Sequence, residues 1–301
     1  MAKNAAVGAM IAAALSNCIF GFSFMFSKMA MEVAAPSVLL AWRFVFALAL
    51  MSLVMLTGKA RVRFRGRGRE LGMLVLLGVF QPMMYFVCES YGILWSTPTF
   101  SGVMIALVPI ASLAFAALFV GERPTRGQIA FSLLSIAGLL MITLRETGEG
   151  TVQARGVAML LGAIVSAVGF NIVSRRLACS FSPFERTYMM FLIGAVFFSG
   201  YALIETANPA AILAPLSQPR FVLSVAYLGG LSSVAAFLLL NYGLTYLTVS
   251  RSTAFSNLTT VVSVLAGTLF YGDALSPLSA VASLMIIVGV WGVQKMHLRR
   301  R

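Results

Sequence analysis

Apolar residues run along this chain in ten long blocks, parted by short polar stretches. A helix needs about 20 mostly apolar residues to cross the hydrocarbon core of a bilayer. The pattern therefore predicts ten membrane-spanning helices, at 5–27, 36–57, 71–92, 97–119, 126–144, 156–174, 184–204, 221–242, 252–271 and 277–295. Inside several blocks small polar residues recur at spacings of three and four, which places them on one helix face. Gly162, Ser166 and Gly169 do so in the sixth span; Ser252, Ser256, Thr260, Ser263 and Gly267 do so in the ninth. Such faces let helices approach closely, and a continuous polar stripe can also face a water-filled cavity.

The blocks repeat. Residues 78–144 overlie 229–295 at a constant offset of 151. The matches include Gly78/Gly229, Phe86/Phe237, Tyr91/Tyr242, Gly92/Gly243, Ser101/Ser252, Gly121/Gly272 and Gly138/Gly289. A weaker match at an offset of 147 pairs Ser27, Lys28 and Pro36 with Ser174, Arg175 and Pro183. The change of offset places a short insertion in the second copy, near 208–219. Each copy holds five spans, and an odd number forces the copies into opposite orientations. The fold class expected is an all-α integral membrane protein of ten transmembrane helices, built as two inverted five-helix repeats (1–147 and 148–301) around a central cavity.

Composition agrees. The chain is 60% hydrophobic and 10% charged, against roughly 25% charged in soluble domains. The net charge of +13 suggests a nucleic-acid partner, but its distribution argues against one. With the N-terminus inside, Lys28, Arg145, Arg155 and Arg220 are the only Lys or Arg outside, and Arg43 lies within a span. That asymmetry orients the protein with both termini cytoplasmic. The Arg-rich loop at 59–69 then reads as an orientation signal that touches anionic lipid headgroups. Lys3, an apolar stretch and Cys18 imitate a leader peptide. Asn17 is unsuited to precede a lipoprotein cysteine and nine spans follow, so the first segment is expected to stay as a helix. Cys18, Cys88 and Cys179 make no disulfide framework. His297 is the sole histidine and sits in the tail, so neither a zinc site nor a Ser-His-Asp triad is supported. Gly66-Arg67-Gly68 lacks the spacing of a phosphate loop. No cofactor, metal or catalytic residue is expected.

Tyr91-Gly-Ile-Leu-Trp-Ser-Thr97, Pro109 and Leu118-Phe-Val-Gly-Glu122, with the second copy Tyr242-Gly-Leu-Thr-Tyr-Leu-Thr248 and Leu269-Phe-Tyr-Gly-Asp273, resemble the drug/metabolite transporter superfamily in its EamA-type branch. Trp42-Arg43-Phe44 is similar to an Arg-Phe that these proteins carry in the second span. Within the superfamily the chain is most similar to YddG-like bacterial amino-acid exporters of the inner membrane. The resemblance implies a ten-helix basket whose cavity is lined by spans 1, 3, 4, 6, 8 and 9. The chain departs from the pattern at Phe20-Gly21, where the family often has Trp-Gly, and in Thr260 opposite Pro109.

Glu89 is the sharpest candidate for chemistry, because a carboxylate inside a membrane is expensive. It shares a helix face with Tyr85 and Gln81. It can attract a substrate ammonium, bind a coupling proton, or pair structurally with Lys28 or Arg43. Asn17, Phe20 and Phe24 share a face of the first span, and Phe170 and Asn171 sit at matching depth in the sixth. Thr99, beside Pro98, together with Asn241, Ser256 and Asn257, completes the expected substrate-binding set. Arg43 can pair with Glu32, reach the outer surface, or meet a substrate carboxylate; the second span is peripheral in the resembled fold, which favours a structural role. The reading is a secondary transporter that exports amino acids and related small metabolites across the inner membrane by alternating access. It is not an enzyme, it contacts membrane lipids and no nucleic acid, and it is expected as a monomer, with a dimer as the alternative. Competing readings are export of other metabolites or drugs, and exchange of anionic sugar-nucleotides or phosphates. A membrane enzyme acting on lipid would need paired acids or histidine at one depth, which the sequence lacks.

Overall fold

The computed structural model describes residues 2–58, 62, 68–119, 125–148, 152–247, 252, 255–271 and 277–298. All regular structure among them is helical. Helices α1 (Ala2–Met31) and α2 (Pro36–Leu56) come first. Helices α3 (Gly68–Gly78) and α4 (Tyr85–Leu94) follow, joined by a wide π-helical turn at Val79–Met84. Then come α5 (Pro98–Ile105), α6 (Val108–Phe119) and α7 (Arg126–Gly148). The second half holds α8 (Ala154–Leu177), α9 (Pro183–Thr206) and the short α10 (Pro209–Leu213). Helices α11 (Pro219–Val225) and α12 (Ala236–Tyr246) flank a second π-helical segment, Ala226–Ala235. Helices α13 (Ser256–Ala266) and α14 (Pro277–Leu298) close the chain.

Proline at the first turn starts α2, α5 and α9, where its missing N–H costs nothing. Thr97 caps α5 by accepting from the Phe100 amide, and Ser182 with Glu185 forms a capping box on α9. Six helical stretches are long and apolar enough to cross a membrane: Val7–Met31, Pro36–Leu56, Gly68–Leu94, Ala154–Leu177, Pro183–Thr206 and Pro219–Tyr246. Shorter apolar helices at Pro98–Ser112, Arg126–Met141, Leu258–Phe270 and Ala280–Gly289 fall in the other four predicted spans. Large apolar side chains such as Leu133, Val196, Leu203 and Leu269 cover the outside, as a lipid-facing surface requires.

The third and eighth spans are continuous helical stretches but not regular α-helices. Each carries a π-helical segment near its centre, a feature that often marks functional sites. In the first copy Pro82 supplies the cause, because it has no N–H and crowds the preceding turn. Gln81 beside it leaves helical geometry, at φ −147° and ψ 116°. In the second copy Ser232 and Ser233 occupy the places of Gln81 and Pro82.

Several tertiary contacts recur with the halves exchanged. Ser166 donates to the Phe80 carbonyl at 2.5 Å, and Tyr227 donates to the Ile19 carbonyl at 2.8 Å. Ile19 is the counterpart of Ser166 at the offset of 147, but at the offset of 151 the counterpart of Phe80 is Leu231, so these two bonds join corresponding pairs of spans four residues out of register. Lys28 donates to the carbonyls of Ile93 (3.2 Å) and Leu94 (3.4 Å), while Arg175 donates to those of Leu244 (2.8 Å) and Thr245 (2.6 Å). Each cation thereby caps the final carbonyls of a helix, where the helix dipole favours positive charge. Helices α7 and α14 cross at Gly138 and Gly289. A Cβ on Gly138 would lie 2.7 Å from the Ala282 carbonyl, and one on Gly289 would lie 2.6 Å from the Phe131 carbonyl. Phe131 and Ala282 are again equivalent positions. Between α2, α4 and α9 the core is aromatic: the Phe44 ring lies 5.1, 5.8 and 5.3 Å from those of Phe86, Phe191 and Phe198.

Candidate functional site

A cavity of about 90 Å³ opens where the two spans with π-helical segments meet α1, α8 and the ends of α5 and α13. Much of its lining comes in equivalent pairs. Phe20 and Phe24 on α1 match Ala167 and Asn171 on α8, and Gln81, Phe86 and Glu89 match Ser232, Phe237 and Leu240. Ile105 and Val108 match Ser256 and Thr259. The halves therefore contribute the same positions but different chemistry. The first half brings a carboxylate and two aliphatic side chains. The second brings leucine opposite the acid and hydroxyls opposite the aliphatics.

Glu89 is 6% exposed and accepts a hydrogen bond from the Tyr85 hydroxyl at 2.8 Å. Arg43 is 2% exposed and also lines the cavity. Its Nε donates to Ser233 Oγ and its Nη2 to Ser232 Oγ, each at 3.0 Å. Ser23 holds Ser232 in turn, donating at 2.7 Å. The guanidinium carbon lies 4.2 Å from the Phe86 ring centroid, a cation–π contact that helps offset burial of the charge. No hydrogen bond or ion pair joins Arg43 to Glu89: the carboxylate is held by tyrosine and the guanidinium by serines. The cavity thus carries a guanidinium and a carboxyl group that make no direct contact with each other.

The structural role favoured for Arg43 by its span is incomplete. Helix α2 packs on both α9 and the Ala226–Ala235 segment, and its first turns are largely buried. That packing brings Ser232 and Ser233 to the guanidinium and aims it inward. The signal in the sequence was the pair of serines standing where the first copy has Gln81 and Pro82. Lys28, the other expected partner of Glu89, gives its ammonium to the carbonyls of Ile93, Leu94 and Ser96.

Of the expected substrate-binding residues, Asn17, Phe20, Phe24, Gln81, Tyr85, Glu89, Asn171 and Ser256 line the cavity. Three others do not. Asn241 is fully buried between α8, α9 and α12. Its Nδ2 donates to Thr187 Oγ1 at 2.9 Å, its Oδ1 accepts from Ser174 Oγ at 2.6 Å, and its carbonyl accepts from Arg186 at 2.8 Å. The amide is fully used in joining helices. Phe170 sits one layer back, edge-on to Phe237 with centroids 6.1 Å apart. Thr99 is buried in the first turn of α5 and is not part of the lining. The Asn257 side chain lies outside the described residues, as do the repeated Gly121-Glu122 and Gly272-Asp273. The ninth-span polar face named from the sequence brings Ser252 to the lining, while sequence reasoning missed Ser23, Ser232, Thr259 and the apolar wall of Phe86, Ile105, Val108, Phe237 and Leu240.

The burial of Asn241 sets an expectation. Asn241→Leu takes away the acceptor of the Ser174 hydroxyl and the donor to Thr187, and should cost about 1–3 kcal/mol. The melting temperature in detergent should fall while the ratio of transport rates between substrates stays at the wild-type value. A changed ratio with unchanged melting would return Asn241 to the site.

Residues 7–144 and, separately, 154–294 match the EamA-like transporter family. The chain is 30% identical over 296 residues to the uncharacterized transporter YcxC of Bacillus subtilis, covering 97% of this chain and 94% of that one. It is 28% identical over 253 residues to a probable terminal-alkyne amino-acid exporter of Streptantibioticus cattleyicolor, covering 84% and 82%. A solved crystal structure overlies it with a TM-score of 0.65 at 18% identity, covering 97% of this chain and 98% of that one, a likeness of fold. The matched segments take in both halves of the cavity lining, and the chain belongs to the EamA-like transporter family of the drug/metabolite transporter superfamily.

Proposed function

We propose that this transporter exports neutral amino acids from the cytoplasm, by alternating access to the cavity that holds Arg43 and Glu89. The observation that carries the reading is a guanidinium and a carboxyl group that line one largely apolar cavity without bonding each other. An α-amino acid is the small molecule whose own charges match: its carboxylate meets the guanidinium and its ammonium meets the carboxylate. A phosphorylated sugar or nucleotide would bring two or more negative charges against a single cation with a carboxylate beside it. A cationic drug would leave Arg43 without an anion. The amino-acid exporter among the relatives supports the same substrate class.

In this reading the four shorter apolar helices also cross the membrane, giving ten spans in two halves, 1–147 and 148–301. The Lys28 and Arg175 caps and the Gly138–Gly289 crossing, which recur with halves exchanged, support an inverted pair, since a two-fold relation turns each contact into its partner. The Lys and Arg asymmetry supports a bacterial inner-membrane placement with both termini cytoplasmic. Rocking of the halves about the cavity would expose it to each side in turn, driven by the substrate gradient.

The test is uptake into proteoliposomes across a panel of neutral amino acids, sugar phosphates and cationic dyes. The expected result is saturable movement of amino acids alone. Movement of another class, with every amino acid excluded, would end this reading.

A further inference from the structure

One wall of the cavity carries hydroxyls that no described residue pairs. Ser252 and Ser256 are 2% and 8% exposed, line the cavity, and have no hydrogen-bond partner for their Oγ atoms among the described residues. Buried polar groups in folded proteins are almost always paired, because an unpaired one keeps its desolvation cost. Their neighbour on the same wall is occupied: Thr259 Oγ1 donates to the carbonyl and Oδ1 of Asn17, at 2.9 and 3.0 Å. The first half explains why Ser252 is left over. Its equivalent, Ser101, bonds Ser96 Oγ at 2.9 Å, but Leu247 stands at the position equivalent to Ser96. Ser256 replaces the aliphatic Ile105 of the first half.

The wall has a definite place relative to the charges. Thr259 fixes it at the level of Asn17 on α1, and Ser23, six residues further along α1, supports the serine that holds Arg43. Six helical residues span about 9 Å.

We propose that Ser252 and Ser256 form the side-chain subsite and select neutral amino acids whose side chain ends in a hydrogen-bonding amide or hydroxyl. This rests on the amino-acid reading and narrows it. The aliphatic wall opposite, Ile105 and Val108, packs the substrate's methylene groups, while the serines pair its polar end. Pairing would satisfy the two hydroxyls only when substrate is bound, so the interaction discriminates against apolar side chains of equal length.

The experiment compares glutamine with norleucine in proteoliposomes of the full chain. Wild type should prefer glutamine by about tenfold or more, and the Ser252→Ala/Ser256→Ala double variant should lose most of that preference. The double variant should melt at or above the wild-type temperature, since it gives up no internal bond. Ser101→Ala, which breaks the bond to Ser96, should melt lower and keep the preference. Equal transport of glutamine and norleucine by wild type would overturn the assignment. So would an unchanged ratio in the double variant, or its melting below wild type, which would reveal protein partners for the hydroxyls. If no amino acid moves while another class does, the amino-acid reading itself has failed, a result distinct from amino acids moving without selection.

Discussion

Glu89→Gln should lower amino-acid transport by about 30- to 5,000-fold while folded protein is recovered at the wild-type level. Glutamine keeps the shape of the side chain and an oxygen that accepts from Tyr85, now at 2.8 Å. What it removes is the charge that meets the substrate ammonium. Losing one partner of a buried, hydrogen-bonded charge pair costs roughly 2–5 kcal/mol, which sets the expected range. Arg43→Gln should also stop transport but differ in stability, because it breaks two bonds to serines and the contact with Phe86. Uptake and detergent melting, measured on both variants, separate the two residues. Wild-type uptake by Glu89→Gln would remove the carboxylate from the substrate site.

Gly138→Leu and Gly289→Leu should each unfold or strongly destabilise the protein. Helices α7 and α14 touch at these glycines, and the nearest atoms include backbone carbonyls that cannot rotate away. Even a Cβ would overlap at 2.7 and 2.6 Å, so a leucine must push the helices apart. Overpacking of this kind costs typically about 1–3 kcal/mol, and here two helix backbones must separate. Gly200 provides the contrast, because a Cβ there would meet nothing within 4 Å. Gly200→Ala should therefore be neutral or mildly stabilising. Equal melting of Gly138→Leu and Gly200→Ala would mean that the crossing is looser than these contacts require.

Much of the architecture is legible in the sequence because it rests on run length and on a fixed offset. The matched Gly138 and Gly289 sit in one crossing, and the matched Lys28 and Arg175 cap equivalent helices. The face carrying Asn17, Phe20 and Phe24 points into the cavity, because helical periodicity fixes which residues travel together. The π-helical segments in the third and eighth spans were only half visible. Pro82 is a signal, but its counterpart Ser233 breaks no rule of helix propensity. Arg43 reads as peripheral because its surroundings come from a serine pair 190 residues away. Asn241 and Ser256 look alike in sequence, as polar residues on apolar helices. They differ in whether neighbouring helices satisfy them: Thr187 and Ser174 meet Asn241, and no described residue meets Ser256. That distinction lives in tertiary packing, which no single-chain pattern encodes.

Glutamine presents both charges to the cavity, its α-amide derivative lacks the carboxylate, and its N-acetyl derivative lacks the ammonium. Proteoliposome uptake of the three, side by side, reads Arg43 and Glu89 separately. Only the zwitterion should move at an appreciable rate, with each blocked form reduced by tenfold or more, on the order of the 1.4 kcal/mol that a factor of ten represents. Transport of either blocked form as fast as glutamine would contradict a site built on two opposite charges.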